Sequence, residues 1–324
     1  MDCGTLRSGK PNSALLIFSV LVAITIFPLA DVLWVRVGEK AFATSLFLLA
    51  LSLGPCLTYY AGVPAARKQA ARKLVLLTGG LSIIAFAVLG RVNLDLEGFF
   101  MLLLLGAAGA AIGHTLVTVI VGPLFFGRFL CGWGCWRAMI LELLPVRHSP
   151  GRHSVAWNII PFVGLALSFG ASAASVFWLG GRPGGTPGAM HSGAVRGILI
   201  GIAVYCTVSI GMAFALRDQR AFCKYLCPSG LILGITSRLS ILKMTPTAQL
   251  CNRCGACTKV CPMDIDVAHF AVLGERVRSG QCILCQRCAH SCPTDALRLA
   301  VGFDIAGATP FILQRNGPHE NAGT

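Results

Sequence analysis

Long stretches without charge dominate the first two thirds of the chain. Windows free of Asp, Glu, Lys and Arg run from Pro11 to Ala30, Ala41 to Val63, Leu74 to Gly90, Gly98 to Gly127, Ser154 to Gly181 and Gly197 to Leu216. Most approach the ~20 residues needed to cross a bilayer, so the pattern predicts six transmembrane helices. The third is the shortest, with 17 residues. Beyond Leu216 the pattern changes to short apolar runs broken by cysteine, proline and charge.

Composition agrees with a membrane protein. The 324 residues are 55% hydrophobic and 12% charged, with a mean hydropathy of +0.72, against about 25% charged in soluble domains. The net charge of +14 does not imply nucleic acid, because the basic residues sit in short runs between apolar windows. Those runs predict orientation. Arg7, Lys10, Arg67, Lys68, Arg72, Lys73, Arg128, Arg137, Arg147 and Arg152 fall on one side. Arg36, Lys40, Arg91, Arg182 and Arg196 fall on the other, together with Asp31, Glu39, Asp95 and Glu97. The side richer in Lys and Arg is cytoplasmic, which puts both termini in the cytoplasm. Trp34 and Trp178 then mark outer helix ends, and Trp133, Trp136, Trp157, Tyr59 and Tyr60 inner ones. "PLADVLW" shows no small-x-small cleavage site, so the first window is read as a span rather than a signal peptide.

Eight of the fifteen cysteines carry the candidate chemistry. "CNRCGACTKVCP" (251–262) and "CILCQRCAHSCP" (282–293) both read C-x2-C-x2-C-x3-C-P, repeated 31 residues apart. This is the run of bacterial two-cluster ferredoxins, in which the fourth cysteine serves the other cluster. One [4Fe-4S] cluster is therefore assigned to Cys251, Cys254, Cys257 and Cys292, and a second to Cys282, Cys285, Cys288 and Cys261. Gly255, Ala256 and Ala289 leave room for backbone N–H groups near cluster sulfur. A pair of zinc ribbons is the alternative, but zinc has no use for the third and fourth cysteines at these spacings.

A second repeat lies upstream. "RFLCGWGCWRAMIL" and "RAFCKYLCPSGLIL" match Arg128 to Arg220, Cys131 to Cys223 and Cys135 to Cys227. Two predicted helices separate the copies, so the halves run parallel. The repeat makes Cys131, Cys135, Cys223 and Cys227 a candidate third redox or metal site on one membrane face. A dithiol at i, i+4 on one helical face, or a docking surface for the ferredoxin part, are the alternatives. His114 inside the fourth window is a candidate quinone or haem contact against a structural role. Cys3, Cys56 and Cys206 match no motif and are read as packing or terminal residues. The Gly- and Pro-rich 180–194 reads as an outer loop, and the segment after Pro228, with Arg238 and Lys243, as an apolar segment lying in the membrane interface before the ferredoxin domain.

The domain plan is thus two N-terminal helices (1–73), a duplicated four-helix core (74–240), a double-cluster ferredoxin domain (241–302) and a tail (303–324). The fold class is an all-α polytopic membrane domain followed by a small α+β ferredoxin-like domain. "GRFLCGWGC", "CKYLCPSG" and the double ferredoxin run together resemble the NapH/MauN-type membrane polyferredoxins over roughly residues 74 to 300. Trp136 stands where that family has proline, and no large outer flavin domain is present. The resemblance implies a prokaryotic inner-membrane protein exchanging electrons between the quinone pool and a partner redox protein. It also leaves open a redox assembly or maturation factor for a membrane oxidase or reductase. No nucleophile or phosphate-loop motif appears, so a subunit that is not an enzyme on its own is expected.

Overall fold

The computed structural model describes residues 56–89, 93–106, 110–146, 157, 159–178 and 187–302. The first window, Cys3, Trp34 and the tail lie outside them. Residues 56–62 are helical and lead into α1 (Lys68–Leu89). This helix starts inside the basic run rather than after it, because its cations find partners in the protein. Lys68 Nζ donates to the carbonyls of Tyr60 at 2.5 Å and Ala61 at 3.0 Å.

The fourth window is broken, not one continuous span. It contains α2 (Leu96–Leu104), α3 (Ala110–Thr115), a π-helical stretch (Leu116–Val121) and α4 (Gly122–Phe126). Gly106, with φ +61°, ends the first piece. Pro123 has no N–H to continue the ladder through the third. At Gly127, φ +56° stops α4. The chain then turns into α5 (Phe129–Trp133) and α6 (Trp136–Leu143), which lie at 94° to the preceding segment. Another departure from the uncharged-window picture precedes α2. A Cβ at Gly98 would stand 1.9 Å from the Asn93 carbonyl oxygen, so residues 93–95 fold back onto the helix as only glycine permits.

Two helices follow, α7 (Ile160–Trp178) and α8 (Pro187–Ala215). The second begins within the stretch read as a loop from its glycines, and proline is well suited to the first helical position. Among the described residues, Ile160–Phe177 and Gly197–Ala215 are long and apolar enough to cross a membrane, and the bent pair Leu116–Phe126 and Phe129–Leu143 adds a third at most. α6 packs along α1, and α2 along α7.

After α8 come α9 (Ala221–Tyr225) and α10 (Pro228–Thr236), then β1 (Leu242–Pro246) paired antiparallel with β2 (Leu297–Val301). The apolar segment after Pro228 thus divides into α10, a 3-10 turn (Ser237–Leu239) and β1. Lys243 lies buried in β1 with its ammonium on the Arg238 carbonyl at 2.7 Å. Between the strands stand α11 (Ala256–Lys259), α12 (Val267–Leu273) and α13 (Arg287–His290). Leu242, Met244, Met263, Val277, Ile283 and Leu297 close a core that also contains Cys257, Cys285 and Cys288.

Candidate metal centre

The two ferredoxin runs repeat in backbone shape as well as spacing. Left-handed residues recur 31 positions apart: Arg253 and Leu284, Gly255 and Gln286, Asp264 and Asp295. Gly255 and Gln286 stand at the N-caps of α11 and α13. Alternating left- and right-handed residues curl successive N–H groups into a concavity that holds anions. Each loop wraps a cavity of that kind. One is lined by Cys261, Cys282, Cys285 and Cys288 together with Met244 and Met263. The other is lined by Cys251, Cys254, Cys257 and Cys292.

These donor sets fit a multi-iron cluster better than a single ion. No group of three or more His, Cys, Asp or Glu side chains among the described residues converges as one ion requires, whereas zinc needs every sulfur ~2.3 Å from one point. The sulfurs surround a space instead. Burial pushes the Cys282 thiol up to about 12 and raises Cys257 and Cys261, which disfavours their free thiolates. Ala296 N–H donates to Cys292 Sγ at 3.3 Å and the Thr294 hydroxyl lies 3.5 Å from it. Other backbone N–H groups also reach these sulfurs, that of Ala289 acting on Cys288 and that of Leu284 on Cys282.

The C-x3-C copies follow one path. In each, the first cysteine lies on a five-residue helix opened by an arginine, α5 after Arg128 and α9 after Arg220. The second is the extended N-cap of the next helix, Cys135 at φ −71°, ψ 123° before α6 and Cys227 at φ −61°, ψ 114° before α10. Cys135 N–H donates to Leu130 O at 2.8 Å and Cys227 N–H to Phe222 O at 2.9 Å. The pair therefore does not share one helical face. Cys223 and Cys227 both pack against the cluster of Leu141, Ala213 and Phe222. Cys131 and Cys223 also pack against the core holding Cys285 and Cys288.

That junction is dense with charge. Arg72 Nη2 pairs with Glu142 Oε2 at 2.5 Å, Arg220 pairs with Glu142 Oε1, and Arg287 stands 3.8 Å from the same carboxylate. Lys224 bridges Asp218 at 2.7 Å and Asp264 of the ferredoxin loop at 2.5 Å. Arg128 donates to Gln281 Oε1 at 2.6 Å. Arg220 donates to Cys131 O at 3.2 Å and lies 4.0 Å from Cys223 Sγ.

Two of the expected interfacial aromatics, Trp133 and Tyr60, belong to this junction, and a third, Trp136, is buried within the membrane part. Trp133, 2% exposed, stacks on Phe129, meets Tyr60 edge-on and donates its indole N–H to Leu284 O at 3.0 Å. Tyr60 is equally buried, with its hydroxyl 3.1 Å from His290 Nε2. Trp136 is buried too and its indole N–H reaches Asp95 Oδ1 at 3.4 Å. A domain seated on the membrane part covers surfaces that lipid would otherwise meet. Trp157 packs edge-on against Tyr225. His114 falls on α3, its side chain outside the described residues. Cys56 packs against Tyr60 and Trp133. Glu142, Asp95, Glu97 and Asp218 carried no motif, yet they are the sole acidic residues between Lys40 and Arg220. That scarcity is the signal that could have found them.

A 4Fe-4S dicluster domain matches residues 243–293. YccM of Escherichia coli K12, whose name describes an electron transport protein, is 27% identical over 301 residues, 86% of this chain and 77% of that protein. The ferredoxin-type protein NapH of the same organism is 27% identical over 206 residues, 60% of this chain and 69% of NapH. The methylamine utilization ferredoxin-type protein MauN of Paracoccus denitrificans is 33% identical over 97 residues, 29% of this chain and 33% of MauN. No solved structure matches.

Proposed function

Because the chain belongs to the NapH/MauN-type family of ferredoxin-type electron-transport proteins, we propose that it is a membrane-bound carrier in which two [4Fe-4S] sites serve a partner redox protein and the quinone pool. The clusters supply one-electron transfer. Cys251, Cys254, Cys257 and Cys292 hold one, and Cys261, Cys282, Cys285 and Cys288 the other. The observation that carries this reading is the pair of cavities, each lined by one complete cysteine set.

The two sets face different ways. Cys254 is exposed, which suits contact with a partner protein. Cys285 and Cys288 share a core with Cys131 and Cys223, which suits passage toward the membrane. Cys131, Cys135, Cys223 and Cys227 form a third redox or metal centre in this reading, with Arg220 beside Cys223 balancing negative charge. A six-helix membrane part, the domain limits 74–240 and 241–302, and cytoplasmic termini complete the proposal. Buried thiols at this density favour the reducing side of the membrane.

Iron and sulfide analysis with EPR on the reduced, anaerobically purified protein tests it. About eight irons per chain and two interacting clusters are expected for two [4Fe-4S] sites, and about four irons with a single-cluster spectrum would overturn it. Cys131→Ser with Cys223→Ser lowers the iron count if the third centre holds metal. An unchanged count with unchanged thiol reactivity of the remaining pair removes that centre from the proposal.

A further inference from the structure

The two ferredoxin loops differ at one left-handed position. Gly255 holds it in the first, at φ +71°, and Gln286 in the second, at φ +58° and ψ 13°. Glycine adopts that backbone freely, whereas a residue with a Cβ is strained there. Room does not explain the difference, since a Cβ at Gly255 would meet nothing within 4 Å. Strain of this kind persists where the surroundings hold it. The second loop is so held: Trp133 donates to Leu284 O at 3.0 Å and Gln69 Nε2 to Cys285 O at 3.2 Å, the two residues that precede Gln286.

Gln286 is 5% exposed, and its Nε2 is buried with no hydrogen-bond partner among the described residues. A buried donor left unpaired is costly, so this amide requires an acceptor. Gln286 lines the cavity of Cys261, Cys282, Cys285 and Cys288. Apart from Gln286 and Arg287, every side chain lining that cavity is apolar or a cysteine, and none is a carboxylate or a hydroxyl. Sulfur is therefore the acceptor that those side chains offer. Iron–sulfur clusters take hydrogen bonds from N–H groups on their sulfurs, and such bonds are one lever on their potential. At the matching position the other cavity has only Gly255.

We propose that the Gln286 side-chain amide donates a hydrogen bond to a sulfur of the cluster held by Cys261, Cys282, Cys285 and Cys288, and that this bond sets the two clusters apart. A donor on sulfur favours the more negative, reduced state, so it raises the midpoint of that cluster alone. No covalent bond forms or breaks. The first loop, with glycine, has no counterpart. The proposal rests on the two-cluster assignment above, and what it adds comes from the unpartnered amide in the cavity wall.

Gln286→Met keeps a stem of similar length without the donor, and Gln286→Gly relaxes the backbone to the state of Gly255. Resonance Raman spectra of the full, oxidised, cluster-loaded chain, produced in H2O and in D2O, read the bond with no electron entering. The iron–sulfur stretches of the wild type should shift in D2O, and part of that shift should be lost in both variants. Redox titration with dithionite, followed by EPR, should then find one midpoint lowered in both variants and the other unmoved. No isotope shift in the wild type, or an equal shift in the variants, overturns the hydrogen bond even where a midpoint moves. Both midpoints moving together, or neither moving, overturns the claim that the bond sets the clusters apart. Two clusters present in any of these cases leave the electron-transfer reading standing, whereas a wild-type chain carrying fewer than two clusters overturns that reading and the proposal with it.

Discussion

Glu142→Gln removes one negative charge from between two guanidiniums while preserving shape and one acceptor. The Glu142 side chain is 2% exposed, and those of Arg72 and Arg220 are fully buried, so water cannot replace what is lost. Two unit charges ~4 Å apart interact by ~4 kcal/mol at an effective dielectric of 20, and the carboxylate serves two such partners. Desolvation offsets part of that attraction, but its cost has already fallen on the arginines and is not returned when the anion leaves. Breaking a buried pair typically costs about 3–5 kcal/mol, and one anion shared by two cations points to the upper half. Thermal unfolding in detergent, followed by tryptophan fluorescence and by visible cluster absorbance, measures it. Adding Arg72→Met to Glu142→Gln should recover part of the loss, because one stray cation disappears with it. A loss below about 1 kcal/mol, the value of an exposed pair, would refute the claim that this carboxylate neutralises the junction.

Two further outcomes follow from the same junction. A Cβ at Gly132 would lie 2.3 Å from the Ile283 carbonyl oxygen, so Gly132→Ala should unseat the ferredoxin domain from α5, seen as faster proteolysis between α10 and β1 while both clusters are retained; unchanged proteolysis would show that the loops yield. Iron removal by an anaerobic chelator should unfold residues 242–301, since Cys257, Cys285 and Cys288 are part of their core and metal binding is folding free energy in small metal domains; amide exchange protection surviving in β1 would contradict this.

What could be read from the residues alone depended on range. The eight ferredoxin cysteines were legible because a cluster loop is local: spacing, small residues and proline lie within twelve positions. The C-x3-C repeat was legible for the same reason. The interior of the membrane part was not, because an uncharged window reports only where charge is absent. It reads residues 98–127 as one rod and misses the break at Gly106 and the π-helical stretch before Pro123. Nor can a window see that Trp133 and Tyr60 are covered by a domain more than a hundred residues away in sequence. The loop reading of 180–194 weighed glycine and proline by number and overlooked that Pro187 can open a helix.

The tryptophan at 136 shows how one departure from a repeat can leave chemistry intact and add to it. Pro228 occupies the first position of α10, where a missing N–H costs nothing and a fixed φ helps. Trp136 occupies the same position of α6, and the cysteine before it keeps nearly the same extended conformation as Cys227. Proline there is a convenience for starting the helix, not a condition for placing the sulfur. The indole instead gives its N–H to Asp95, a donor that proline cannot supply. That bond, with the ion pair from Arg137 one residue on, fixes the fold-back that lowers Glu97 between α7 and α8. The parallel repeat therefore gives two like halves, and the substitution that breaks their likeness in the first half is the one that holds Asp95 in place beside α2.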